Sequence, residues 1–192
     1  QALGLGDEPL IVSCWGSLGA REMNKKIAQF MRCECEDGTP FHHIHATGSF
    51  GWRWMPDYVK EQGVDLAAHP ALDMREYIYD MPQVLAAADL IICRAGAATI
   101  AEVCASGTPC IMVPSPNVTG NHQEKNARVL EDAGAAAVVR EADCDGRSLY
   151  ETAKAILSDP ERTGGMRTAA RGMAVVDAAE RIYQTAIELA RG

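Results

Sequence analysis

Short apolar runs alternate with amphipathic stretches along the whole chain, and glycine or proline marks many of the boundaries. Leu10 to Cys14 is an apolar run that ends in Trp15-Gly16-Ser17-Leu18-Gly19-Ala20, the pattern of a strand followed by a glycine turn. Ile27, Phe30 and Met31 recur at helical spacing between Asn24 and Arg32, and Glu34 to Pro40 is a polar break. Phe41 to Ala46 predicts a second strand closing at Thr47-Gly48. Residues 49–63 read as irregular or helical with Pro56 as a break, and Asp73 to Tyr79 holds a weak strand. Pro82 opens a helix over Val84 to Ala88, since its fixed φ suits a first helical turn. Leu90 to Cys93 and Pro109 to Val113 are further strands. A helix from Asn121 to Ala133 stops at Gly134, and Ala135 to Val139 is the last strand. Leu149 to Leu157, Pro160 to Met173 and Ala178 to Ala190 are helical, the last with Ile182, Ala186 and Leu189 on one face.

Strands that are apolar on both faces and alternate with helices specify a parallel sheet covered by helices, a single doubly wound α/β domain. In such folds ligands bind beyond the carboxyl ends of the strands. Two glycine turns, at 16–19 and at 94–99, fall at such ends, and a diphosphate fits between them.

Composition narrows the class. Hydrophobic residues make up 47% of the 192 residues, enough to build a full core and too many for disorder. The net charge of −8 argues against nucleic acid as a partner and supplies no basic stripe for a membrane surface. No apolar stretch approaches the roughly 20 residues that span a bilayer, and no secretory leader is read. Of the 7 cysteines, Cys93, Cys104 and Cys110 sit in apolar runs, where buried free thiols are common, so a reducing, cytoplasmic compartment is expected. A chain that begins at Gln1 rather than Met reads as a fragment or a processed product.

The densest chemistry lies in residues 91–126. The turn Arg94-Ala95-Gly96-Ala97-Ala98-Thr99 leads into a helix whose free N–H groups can hold an anion. Thr99 and Glu102 are three apart and share a helix face. A hydroxyl near the helix start suits a phosphate, and a carboxylate one turn in suits a sugar diol. A solvent-facing glutamate is the bland alternative. His122 and Gln123 either hydrogen-bond the hydroxyls of a hexose or are polar filler at a helix start capped by Asn121. Gly16 to Gly19 is either a phosphate-binding turn or a tight strand-to-helix connection. A dinucleotide reading fails, because the G-x-G-x-x-G spacing is absent and the second strand ends without an acid for a ribose hydroxyl. His43 and His45 share one strand face and His42 takes the other, but no accompanying carboxylate or cysteine pattern suggests zinc. Cys14 has no evident base to activate it.

With these motifs in hand, the chain resembles the C-terminal domain of the undecaprenyl-pyrophosphoryl-MurNAc-pentapeptide N-acetylglucosaminyltransferases of bacterial peptidoglycan synthesis, the MurG family. The matching segments are GSLGAR at 16–21, YIYDM at 77–81, CRAGAATIAE at 93–102, GTPCIMVPSPNVTGNHQEKNA at 107–127 and the AG turn at 133–134. The resemblance implies one Rossmann-like domain, residues 1–192, forming the C-terminal half of a GT-B glycosyltransferase and holding the donor UDP-GlcNAc. It implies that Ser17 contacts the diphosphate, that Ile78 and its neighbours meet the uracil, and that Met81 flanks the nucleoside. Ala97, Ala98 and Thr99 would meet phosphates and nucleoside at the helix start. Glu102 would take the ribose, and His122 and Gln123 the GlcNAc. The catalytic base and the lipid I acceptor would belong to an N-terminal domain outside these residues, with the whole protein peripheral on the cytoplasmic face of the membrane and this half not inserted. No metal and no cofactor are implied. Trp15 and Leu18 stand where the family carries glycine and glutamine, and a bulky Trp15 is expected to narrow the entry to the first turn. Two other readings are a separate non-catalytic UDP-sugar-binding subunit of a split transferase and a UDP-sugar epimerase of the same fold, which needs a pair of acid/base carboxylates.

Overall fold

The computed structural model describes Gly6 and residues 8–191. Six strands form one wholly parallel sheet: β1 (Leu10–Cys14), β2 (His42–Ala46), β3 (Leu72–Arg75), β4 (Leu90–Cys93), β5 (Cys110–Met112) and β6 (Ala136–Val138). Their order is β3-β2-β1-β4-β5-β6, so the chain reverses its direction of travel across the sheet between β1 and β4. The register sets Val12 beside both Ile44 and Ile91, and Cys14 beside Cys93. Side chains from β1, β4 and β5 are buried on both faces, which explains why these strands read as unbroken apolar runs.

Two cores result. On one face α1 (Arg21–Glu36) and α7 (Gly146–Leu157) pack around Phe30, Met31, Leu149 and Ile156, joined by α3 (Met55–Glu61) through Met55 and Val59. On the other, α4 (Met81–Ala87), α5 (Ala97–Ser106), α6 (His122–Asp132) and α8 (Pro160–Gly172) close over Leu10, Val12, Ile91 and Met112. The short helix α2 (Ser49–Trp52) follows β2, and α9 (Ala178–Arg191) ends the described chain with no buried residue, leaving Ile182 and Leu189 exposed. Asp145 caps α7 by a reciprocal bond with Ser148, and Asp159 caps α8 ahead of Pro160.

Several elements differ from the pattern in the sequence. Helix α1 does not stop at Arg32 but runs on to Glu36, because Glu34 turns inward and finds a buried partner. The irregular stretch 49–63 resolves into α2 and α3. The third strand is only Leu72–Arg75, so Tyr77 and Ile78 lie beyond its carboxyl end. Asn121 does not cap α6 with its side chain; it stands just outside the helix with φ of 51°.

Candidate functional site

The site is assembled at the carboxyl ends of β1 and β4, where the strand order reverses. Ligands of open parallel sheets collect at such a point, because the connections on either side diverge and leave a crevice. The turn after β1 is held tight by Gly19 N–H donating to Gly16 C=O at 3.1 Å. It lies against the end of β2, with Ser49 N–H donating to Ser17 C=O at 3.1 Å. Glycine is required on both sides of this contact. A Cβ on Gly19 would stand 2.0 Å from the Thr47 carbonyl oxygen, one on Gly48 would stand 2.1 Å from the Gly19 nitrogen, and both residues have positive φ. From α1, buried Asn24 donates its Nδ2–H to Thr47 C=O at 2.8 Å and ties the same two turns together.

Beneath this turn is a cleft of about 180 Å³. Ser17, Ile78, Met81, Thr99 and Glu102 all line it, so five of the predicted site residues converge from three separate segments. Cys14, Gly16, Ala46, Tyr77, Leu85 and Ile91 complete its lining. Ala97 and Ala98 form the first turn of α5 beside it, where backbone N–H groups have no partner within the helix. The arrangement offers amides and hydroxyls for an anion, an apolar floor for a flat ring and a carboxylate for a diol.

His122 and Gln123 do not line this cleft. They occupy the loop and helix start after β5, where His122 is exposed with Nδ1 3.0 Å from the Thr119 carbonyl. Gln123 Oε1 accepts from Ser115 N–H at 2.9 Å, which braces the loop and leaves its amide nitrogen available. Asn126 donates to Ala95 C=O at 3.3 Å and couples α6 to the turn before α5.

Trp15 departs from expectation. It is 5% exposed and packs into the core on the α1 face, so it does not narrow the cleft. Arg94 lies over its ring at 5.6 Å, donates to Val113 C=O at 3.0 Å and pairs with Glu141 at 2.6 Å. Arg94 thus clasps the ends of β1, β4 and β5 from the side opposite the cleft. Cys14, which also lines the cleft, is pushed up to about 12 by burial and then by the Glu102 charge, against a smaller opposing effect of the Gly16 N–H, so it stays a thiol.

The histidine strand also needs correction: a carboxylate does accompany it, arriving from α1. His43 Nδ1 is 2.9 Å from Glu34 Oε2, and Ser13 Oγ is 2.7 Å from both His43 Nε2 and His45 Nδ1. All four side chains are fully buried. Burial, then the neighbouring His43, drives His45 down to about 3, so it is neutral.

A parallel sheet in this strand order, with glycine turns and a cleft at its reversal point, defines a Rossmann-like α/β domain. The family model for the glycosyltransferase family 28 C-terminal domain matches residues 10–182. The chain belongs to that family. It is 40% identical over 178 residues to the UDP-N-acetylglucosamine–N-acetylmuramyl-(pentapeptide) pyrophosphoryl-undecaprenol N-acetylglucosamine transferase of Thermoanaerobacter sp. (strain X514), covering 93% of this chain and 48% of that protein. The transferase of the same description from Salinibacter ruber is 40% identical over 184 residues, covering 96% and 47%. Among solved structures, MurG of Acinetobacter baumannii superposes with a TM-score of 0.75 at 26% identity, covering 93% of this chain and 52% of that one. The chain therefore spans about half the length of the relatives it matches, and the resemblance seen in the sequence is borne out.

Proposed function

We propose that residues 1–192 are the C-terminal donor-binding domain of an inverting N-acetylglucosaminyltransferase that uses UDP-GlcNAc and passes the sugar to lipid I. The observation that carries this reading is the convergence of Ser17, Ile78, Met81, Thr99 and Glu102 on one cleft at the sheet's reversal point. The names of the relatives supply the donor sugar and the acceptor.

In this reading Glu102 accepts from the ribose hydroxyls, Ile78 and Met81 take the uridine, and Ser17, Thr99 and the amides of Ala97 and Ala98 take the diphosphate. The cleft is small for a whole nucleotide sugar, so the sugar extends toward Gln123 and His122. The acceptor hydroxyl attacks the anomeric carbon, the bond to the diphosphate oxygen breaks, and UDP leaves with its new negative charge. The amides at the start of α5 stabilise that charge without a metal ion. The proton of the attacking hydroxyl passes to a base in an N-terminal domain, which also holds the acceptor at the cytoplasmic face of the membrane. No helix among the described residues is long and apolar enough to cross a membrane. Among the described residues Glu102 is the one carboxylate lining the cleft, which does not favour an epimerase needing two.

Titration with UDP-GlcNAc followed by amide NMR tests the assignment. Saturable shifts should concentrate at Ser17, Ile78, Thr99 and Glu102. Shifts that avoid these residues would overturn it.

A further inference from the structure

Among the described residues a second cleft is larger than the one above. It has a volume of about 530 Å³ and lies at the carboxyl ends of β5 and β6, against the start of α1. Pro114 and Pro116 give it apolar walls. Its charges are of both signs: Glu22 and Lys26 from α1, Glu124 from α6, and Arg140 with Glu141 from the segment after β6.

These charges are not equally available. Lys26 is spent on the carbonyls of Glu141 and Cys144, the latter at 2.7 Å, and the buried Glu141 Oε2 faces Arg94 as an ion pair at 2.6 Å. Glu22 and Arg140 remain on the rim, each about three-fifths exposed. Glu22 pairs with Lys25 across one turn of helix, a contact of small worth that a ligand cation can displace. Arg140 meets Glu124 through Nε at 3.3 Å, which leaves the outer guanidinium N–H groups free. Asn121 lines the same cleft, and its amide is unspent because it caps no helix N–H.

A cleft of this size, with Glu22 on one edge, the outward guanidinium of the Arg140–Glu124 pair on the other, an amide and proline walls, matches a short peptide that carries both an ammonium and a carboxylate. Its wall includes Ser115, the residue that Gln123 braces, so its occupant would sit beside the loop that meets the donor sugar. We propose that this cleft binds the peptide portion of the acceptor while the N-terminal domain holds its lipid-linked sugar, with Glu22 taking an ammonium and Arg140 a carboxylate. The proposal rests on the transferase reading for the presence of a peptide on the acceptor; the cleft itself does not depend on it.

The test is amide NMR of the chain titrated with a synthetic pentapeptide bearing one side-chain ammonium and a free carboxyl terminus, without any nucleotide. Saturable shifts at Glu22, Ser115, Asn121 and Arg140 are expected. Acetylating the peptide amine or introducing Glu22→Gln should weaken binding about three- to fivefold, as should Arg140→Ala, the scale of one exposed ion pair. Both variants should bind UDP-GlcNAc as the parent does. Non-saturable shifts, shifts elsewhere, or binding indifferent to all three changes would overturn the proposal. Loss of UDP-GlcNAc binding by the parent chain would instead refute the donor reading, so the two failures are distinguishable.

Discussion

Acidifying the protein from pH 6.5 to about pH 5 should cost it about 2 kcal/mol of stability through one side chain, His45. The hydrogen bonds dictate a direction. The Ser13 carbonyl, which can only accept, lies 3.2 Å from His45 Nδ1, so Nδ1 carries the proton; Ser13 Oγ accepts from the same N–H and donates to His43 Nε2, and His43 Nδ1–H donates to Glu34. His45 Nε2 is then a bare acceptor, and it has no partner in the core. Protonating it would bury both a charge and an unpaired N–H, which is why its pKa falls from 6.5 to about 3. Above pH 6.5 both folded and unfolded chains hold neutral His45, and it contributes nothing. Between 6.5 and about 3 the unfolded chain binds a proton that the folded chain refuses, so stability falls by about 1.4 kcal/mol per pH unit. Carboxylates held low by their partners, such as Glu36 beside Arg147 and Asp37 beside Lys154, also lose stability in acid. Their loss begins only near their ordinary values of 4.5 and 3.8, below this window. Urea unfolding at the two pH values would read the loss in the parent and in His45→Asn, whose amide can occupy the Nδ1 position. The variant should lose about 0.5 kcal/mol or less over the same window. A parent equally stable at both pH values, or a variant that loses as much, would refute the reasoning.

Three further outcomes are expected. Glu102→Ala should weaken UDP-GlcNAc binding by about 1–3 kcal/mol, the range for a lost charge-assisted hydrogen bond, and 2′,3′-dideoxy-UDP should bind the parent and the variant alike. Titration calorimetry checks both, and unchanged affinity in the variant rules out the ribose role. Gly48→Ala should destabilise by about 2–4 kcal/mol, because positive φ is compounded by a backbone clash, whereas Gly63→Ala, with φ of +83° and open space, should cost about 1 kcal/mol. Equal thermal shifts in these two variants would contradict the close approach of the two turns. Asn24→Ala should cost about 1–3 kcal/mol in urea unfolding, since it strips the Thr47 carbonyl of a buried donor.

The strands of the sheet were legible because each is buried on both faces, and the alternation of strand and helix left one architecture. The cleft was legible where residue type and spacing coincide with a turn, as at Thr99 and Glu102. What stayed hidden depends on contacts between distant segments. Glu34 looked like part of a polar break, because nothing local reveals that His43 waits nine residues on across a turn of the chain. Trp15 looked like an obstruction, because a turn residue's side chain can face either side of the sheet, and only packing with Arg94 decides it. His122 and Gln123 were legible as polar groups near the strand ends, but their distance from the Glu102 cleft is set by the loop that Ser115 and Gln123 brace. The strand read over Asp73 to Tyr79 ends at Arg75, so Tyr77, a neighbour of Ile78, reaches the cleft from past the end of β3.

The central claim is that this chain is a UDP-GlcNAc-binding domain, and titration calorimetry against UDP-GlcNAc, UDP, UDP-glucose and NAD tests it most directly. The account predicts binding of UDP and UDP-GlcNAc, weaker binding of UDP-glucose and none of NAD. Binding of NAD in preference to the uridine nucleotides, or no binding of any of them, would contradict it.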